Sequence, residues 1–178
     1  MPLTPWKILE STYIRPRIRE DKVELPNGNL FDAMVFEFRR WANVVALTPE
    51  REVVLIRQYR HGVQKLVWEF PGGVVEDGET ALAGAQRELL EESGYTASDF
   101  IQVGAFHPNP ASLSNALYAF LATDARRVAA QRLDEAEQIE VHLFPLDEVV
   151  TMAKRGEIDN ALQIAVLFHV LAHLNRIA

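Results

Sequence analysis

Short apolar runs broken by turn residues fill the first seventy positions of the chain, the pattern of successive strands. Residues 6–13 and 18–25 read as strands, and Pro26-Asn27-Gly28-Asn29 supplies the Asn-Gly turn of a hairpin leading into residues 33–38. A denser strand region follows: NVVAL and EVVLIRQYR, joined by the turn Thr48-Pro49-Glu50-Arg51, then LVWEF, ended by Pro71-Gly72-Gly73. Over residues 80–93 the spacing lengthens to that of a helix, and Gly94 stands where a left-handed residue would end it. Strands resume at IQVGAF and ALYAFLA, around the loop HPNPASLSN, and again at IEVHLF. Helices over residues 146–155 and 160–177 close the chain. This order predicts an α/β (α+β) fold, a mixed β-sheet sandwiched between helices and preceded by an N-terminal antiparallel β-meander. The expected division is residues 1–40 for the meander and 41–178 for the main domain.

Composition narrows the function. With 178 residues and 48% apolar content the chain can bury a core as one domain with a small appendage. A formal charge of −7 argues against non-specific binding to nucleic acid or to anionic membranes. If the ligand is itself anionic, bound metal is the obvious source of positive charge. The absence of cysteine excludes disulfides, thiolate metal sites and a cysteine nucleophile. MPLTPWKILE holds no apolar run of signal-peptide length, and ALQIAVLFHVLAHL is too short and too interrupted to span a bilayer. The expectation is a cytoplasmic protein.

The stretch EFPGGVVEDGETALAGAQRELLEESGY carries the chemistry. At roughly 100° per residue, Glu88, Glu91 and Glu92 fall within an arc of about 100° on one side of the predicted helix. Leu82, Ala85 and Leu89 lie on the neighbouring face, expected to pack against the sheet. Arg87 stands four residues before Glu91, the spacing at which side chains meet. Carboxylates this close repel, and a divalent cation removes the conflict; hard oxygen ligands suit Mg²⁺ or Mn²⁺. Gly72-Gly73 lets the backbone approach the metal or ligand, so a main-chain carbonyl can join the coordination sphere. Such an arrangement serves phosphate chemistry. A Glu-rich helix face is ordinarily just solvated, but the full spacing is far more specific. Gly73, five residues, Glu79, seven residues, Arg87-Glu88-Leu89, one residue, Glu91-Glu92, one residue, Gly94-Tyr95 is the Nudix box. Its chance occurrence in such a chain is on the order of 10⁻⁷.

The chain therefore resembles Nudix hydrolases. It is most similar to the ADP-ribose pyrophosphatase and nucleoside-diphosphate-sugar hydrolase branch, through WKILESTY, RQYRHG, a proline-bearing loop after the box, and DEAEQIEVHLF followed by GEIDNA. The resemblance implies the Nudix fold and a metal-dependent pyrophosphatase. Its substrate would be ADP-ribose or a related nucleoside diphosphate sugar, and its products a nucleoside monophosphate and a sugar phosphate. By position, Glu88 and Glu92 would be the main metal ligands, with the Gly72 carbonyl and two or more Mg²⁺ or Mn²⁺ ions per site. Glu91 would be a further ligand or a supporting group steered by Arg87, and Glu79 would hold the loop–helix unit together. The general base in this branch resembles a glutamate on a loop downstream of the box; Glu137 is the first choice by its offset from IEVH and Glu135 the second.

For the substrate, Arg60 matches an arginine that the branch uses near the phosphates or terminal ribose. Trp6 corresponds to an aromatic that stacks on the base, although it suits burial in the N-terminal sheet equally well. Pro110, fifteen residues after Tyr95, is close to a marker proline of ADP-ribose-type members. HPNPASLSN departs from the SPG-type text of the best-known members, which leaves the sugar open. Trp41 and Trp68 read as core residues, His142, His169 and His173 as packing, and His61 and His107 as open. The resemblance also implies a homodimer whose N-terminal strands complete the partner's site. Two alternatives stand beside the leading reading: a hydrolase preferring GDP-mannose or UDP-sugars, and a non-catalytic Nudix-fold sensor, against which the retained box glutamates argue.

Overall fold

The computed structural model describes residues 7–135 and 137–177. Close contacts group the chain into two compact units. One comprises the N-terminal segment through Arg39 with His107–Ala116, and the other Arg40–Phe106 with Leu117 onward.

In the first unit, β1 (Lys7–Arg15), β2 (Ile18–Glu24) and β3 (Leu30–Phe36) form an antiparallel meander in that order. The β2–β3 turn is tighter than its text implies. Gly28 takes φ +84 and the Asn27 side chain accepts from the Asn29 amide at 3.0 Å, so pairing resumes at Leu30 opposite Glu24 and not at residue 33. The loop after residue 106 joins this unit through the Phe36 amide, which donates to the Ser112 carbonyl at 2.8 Å.

The second unit contains β4 (Trp41–Ala46), β5 (Glu52–Arg60), β6 (Lys65–Glu69), β7 (Gly72–Val74), α1 (Ala81–Ser93), β8 (Tyr95–Thr96), β9 (Asp99–Phe106), β10 (Leu117–Thr123), β11 (Arg126–Arg127), β12 (Ile139–Pro145), α2 (Leu146–Lys154) and α3 (Ala161–His173). A mixed sheet runs β7-β4-β10-β9, with β4 and β10 parallel, and a second sheet runs β12-β5-β6. Strand alternation distributes the core to two sides. Ala42, Val44 and Ala46 of β4 pack with Ala85 and Leu89 of α1, whereas Val45 and Leu47 pack with Val149 of α2 and Val166 and Val170 of α3. Both faces are buried, so these strands read as unbroken apolar runs. Each fully buried aliphatic side chain contributes roughly 1.5–3 kcal/mol relative to exposure.

Several boundaries differ from the sequence expectation. β7, β8 and β11 are two or three residues long and too short to show a period. Pro71-Gly72-Gly73 ends β6, but the glycines at once start β7, Gly72 pairing opposite Asn43. Leu82 is 40% exposed, because the buried residues of α1 begin only at Gly84. Trp41 and Trp68 are half-buried against the core, not within it. α3 stops at His173: Asn175 takes φ +53, and the Arg176 amide bonds back to the Leu171 carbonyl at 2.8 Å, turning the chain away. His169 stacks on Phe106 with centroids 5.4 Å apart, a packing role. Among the described residues no helix is long and apolar enough to cross a membrane.

α1 begins where Thr80 caps it, its hydroxyl accepting from the Ala83 amide at 3.1 Å. It ends at Gly94, where φ is +75 and a Cβ would overlap the Ala129 carbonyl oxygen. Gly94→Ala is therefore expected to lose about 2–4 kcal/mol of stability in chemical denaturation. Gly78→Ala, with φ +85 but open space around it, should lose only about 1 kcal/mol. Equal losses would mean that the contact with Ala129 contributes nothing.

Candidate functional site

The two glycines of β7 set the approach of backbone to helix. A Cβ on Gly72 would overlap the Ala42 carbonyl oxygen, and one on Gly73 would meet Glu88 Oε1 at 2.6 Å. Because neither is present, α1 lies close enough for the Gly72 amide to donate to Glu92 Oε2 at 2.7 Å. Glu92 is 4% exposed, on the edge between the acidic face and the apolar face. Burial pushes its carboxyl up to about 8; the Gly72 amide opposes the shift, while Glu88 and Glu137 add to it. Burial also raises Glu88, against the pull of Arg87 and with further upward pressure from Glu91 and Glu137. Glu137 thus opposes the ionisation of both Glu88 and Glu92, although it comes from a different segment.

Arg87 organises the rest. Its guanidinium donates to Glu79 Oε1 at 3.1 Å, Glu88 Oε1 at 2.8 Å, Glu91 Oε2 at 3.1 Å and the Val74 carbonyl at 2.9 Å. Hydrogen bonding by Glu79 first, then by Glu88 and Glu91, holds it firmly protonated. Arg87 in turn draws Glu79 below its ordinary value, and Glu79 Oε2 accepts from the Glu76 amide at 2.9 Å, fastening the preceding loop to the helix. Burial alone would raise Glu91, but the guanidinium groups of Arg132 and Arg87 overcome it and hold the carboxyl low.

The segment between β11 and β12 docks on the C-terminal end of α1, whose last carbonyls have no partner within the helix. Val128 and Ala129 amides donate to the Gly94 carbonyl, at 2.9 and 3.2 Å, and the Arg132 amide to that of Glu91 at 2.8 Å. The Gln131 amide group bridges the Glu92 and Ile139 carbonyls at 2.7 and 3.0 Å. Arg132 also reaches Glu91 Oε1 at 2.7 Å. Nothing in the spacing of Gln131 or Arg132 flags them, since their partners on α1 lie some forty positions earlier. This docking brings Glu137 onto the same cavity wall as the helix carboxylates; Glu135 is exposed and off that wall. Glu137 Oε2 accepts from the Asp134 amide at 3.0 Å.

The cavity is about 900 Å³. Eight carboxylates line it against four cationic side chains, Arg60, Lys65, Arg87 and Arg132. Trp41 and His61 are on its wall, as is Glu69, a carboxylate at a buried position of β6 and a signal that reading by motif passes over. Pro110 lies in the other unit, exposed, on a loop closed by the His107 ring, whose Nδ1 contacts the Asn115 carbonyl at 3.1 Å. Trp6 falls outside the described residues. Among the described residues no three acidic or imidazole side chains converge on one point as the rotamers stand. Glu88 and Glu91 turn to Arg87, and Glu92 to the Gly72 amide. The donor set is nonetheless all hard oxygen, in a site whose buried carboxylates repel one another, and it suits a divalent cation.

A family model described as NUDIX domain matches residues 37–166. The chain is 31% identical over 142 residues to an ADP-ribose pyrophosphatase of Bacillus subtilis (strain 168), covering 79% of this chain and 77% of that protein. It is 30% identical over 154 residues to a methanol dehydrogenase activator of Bacillus methanolicus, covering 85% and 83%. The crystal structure of an ADP compounds hydrolase superposes with a TM-score of 0.87 at 24% identity, covering 99% of this chain and all of that one, a likeness of fold.

Proposed function

The chain belongs to the Nudix family and is a hydrolase of pyrophosphate bonds like the ADP-ribose pyrophosphatases, and from that premise we propose that it cleaves ADP-ribose or a related nucleoside diphosphate sugar, giving a nucleoside monophosphate and a sugar phosphate. The observation that carries this reading is the meeting of Glu88, Glu92 and Glu137 in one acidic cavity large enough for such a molecule. Members of the family use divalent metal ions; here Glu88 and Glu92, with the Gly72 main chain, would hold two or more Mg²⁺ or Mn²⁺. Bound there, such ions would neutralise diphosphate oxygens and acidify an attacking water. Glu137 takes the proton of that water as its oxygen joins one phosphorus, and the bridging oxygen departs with the other phosphate. Arg87 holds Glu91 and Glu88 in place, and Arg60 grips the phosphates or the terminal ribose.

A panel of ADP-ribose, GDP-mannose and UDP-glucose, scored for released phosphomonoester with and without Mg²⁺ or Mn²⁺, tests the reading. Metal-dependent release greatest with ADP-ribose supports it. Preference for another sugar nucleotide shifts the substrate, and binding without turnover makes the chain a sensor. We further place its action in the cytoplasm, as a homodimer whose N-terminal sheet presents exposed Ile8, Tyr13, Leu30, Phe31 and Met34. Light scattering should give twice the chain mass, and a monomer under assay conditions would remove that part.

Metal and proton compete for Glu92. Its folded value, about 8, lies above the ordinary 4.5, so between those values the native state holds a proton that the unfolded chain has released. Stability of the metal-free protein is therefore expected to be highest below pH 4.5, as far as this group decides it, and to fall as pH rises toward 8. Added Mg²⁺ should raise the melting temperature more at pH 8 than at pH 6. An increment independent of pH would separate Glu92 from the cation.

A further inference from the structure

Glu69 has no part in the roles assigned so far. It ends β6, is 3% exposed, and yet lines the cavity. A carboxylate is tolerated at that depth only when its oxygens are satisfied. Oε2 accepts from Arg60 Nε at 2.9 Å and Nη2 at 2.7 Å, and from Gln58 Nε2 at 3.1 Å. Oε1 accepts from Asn160 Nδ2 at 2.9 Å. Gln58 and Arg60 are two apart on β5 and so share a face. Asn160 caps α3, its Oδ1 accepting from the Leu162 amide at 3.0 Å, which leaves its amide nitrogen for Glu69 and settles the orientation of the group.

The pairing is asymmetric. The Glu69 side chain is 3% exposed with both oxygens held by these donors, whereas the Arg60 side chain is 49% exposed. One edge of the guanidinium, Nε and Nη2, is held on a buried, hydrogen-bonded carboxylate, and Nη1 has no partner among the described residues. An arginine at a strand end would otherwise sample many rotamers, and a fixed fork loses less entropy when it meets an anion. We propose that Glu69 is a positioning residue for the reaction: it aims Arg60 so that the free edge of the guanidinium meets the anionic part of the substrate. This rests on Arg60 being a substrate contact.

A double-mutant cycle tests it. Glu69→Gln keeps the shape but not the charge that clamps the fork, and should raise KM roughly tenfold or more with kcat within about threefold. Arg60→Ala should raise KM at least as much, and the double variant should be no worse than Arg60→Ala alone. A wild-type KM in Glu69→Gln, or effects that multiply in the double variant, overturns the proposal while leaving Arg60 in the site. An unchanged KM in Arg60→Ala removes the substrate contact itself and the proposal with it. Arg60→Lys decides the matter if Glu69→Gln does not fold, because a half-exposed side chain is replaced and the charge kept. Loss of the fork should again raise KM about tenfold, and a wild-type KM overturns the positioning role.

Discussion

Glu92→Gln is expected to lower kcat/KM by on the order of 10³ while leaving the metal-free protein at pH 8 as stable as the parent, or more so. Metal electrostatics are worth several kcal/mol in reactions of this kind, and each 1.36 kcal/mol is about tenfold in rate. Gln retains an oxygen to accept from the Gly72 amide, so the bond that ties β7 to α1 survives. What disappears is a buried charge, which the fold resists: the carboxyl stands at about 8 because burial and the neighbouring Glu88 and Glu137 disfavour ionisation. Gln imitates the protonated form at every pH, so its stability should not decline between pH 5 and 8. Activity and stability are thus predicted to move in opposite directions, as befits a residue held against its own solvation for the sake of a ligand. Thermal melts and steady-state kinetics on one preparation decide it. Activity within about threefold of the parent would dismiss Glu92 from the cation site, and activity lost together with the melting temperature would make it structural.

Much of this was legible because it is local. Thr80 and Gly94 bound α1 as cap and terminator, and Arg87 meets Glu91 one turn later, each over a span that the helical period alone defines. The two sides of the core follow from alternation in β4, where adjacent valines face different helices. What escaped depends on partners distant along the chain. β7 exists only because β4 offers it an edge. Glu92 looks on a helical wheel like its two acidic neighbours, and only the layer beneath α1 distinguishes it as buried. Gln131 and Arg132 have no motif, since their function is to satisfy carbonyls that a helix end leaves open. Glu69 was in plain view in the strand, but its meaning arises from Arg60, Gln58 and Asn160 arriving together.

Glu137→Gln is expected to reduce kcat by roughly 10²–10⁴, the range for loss of a general base, with KM within a few fold of the parent. Glu135→Gln should retain near-normal kcat. Both carboxylates sit on the same short segment, and sequence offset alone separates them weakly. Position separates them better: Glu137 is half-buried on the cavity wall and close enough to raise both Glu88 and Glu92, whereas Glu135 is exposed and away from that wall. The segment is not free to exchange one for the other. Gln131 ties its start to the last turn of α1 and to Ile139 beyond its end, and the Glu137 side chain closes a turn on the Asp134 amide. Gln at 137 preserves that acceptor, so a fall in kcat would report lost proton transfer and not a displaced loop. Normal kcat in Glu137→Gln with a crippled Glu135→Gln would transfer the role to the outer glutamate and require the loop to turn over on substrate binding. Normal kcat in both would place the base outside this segment.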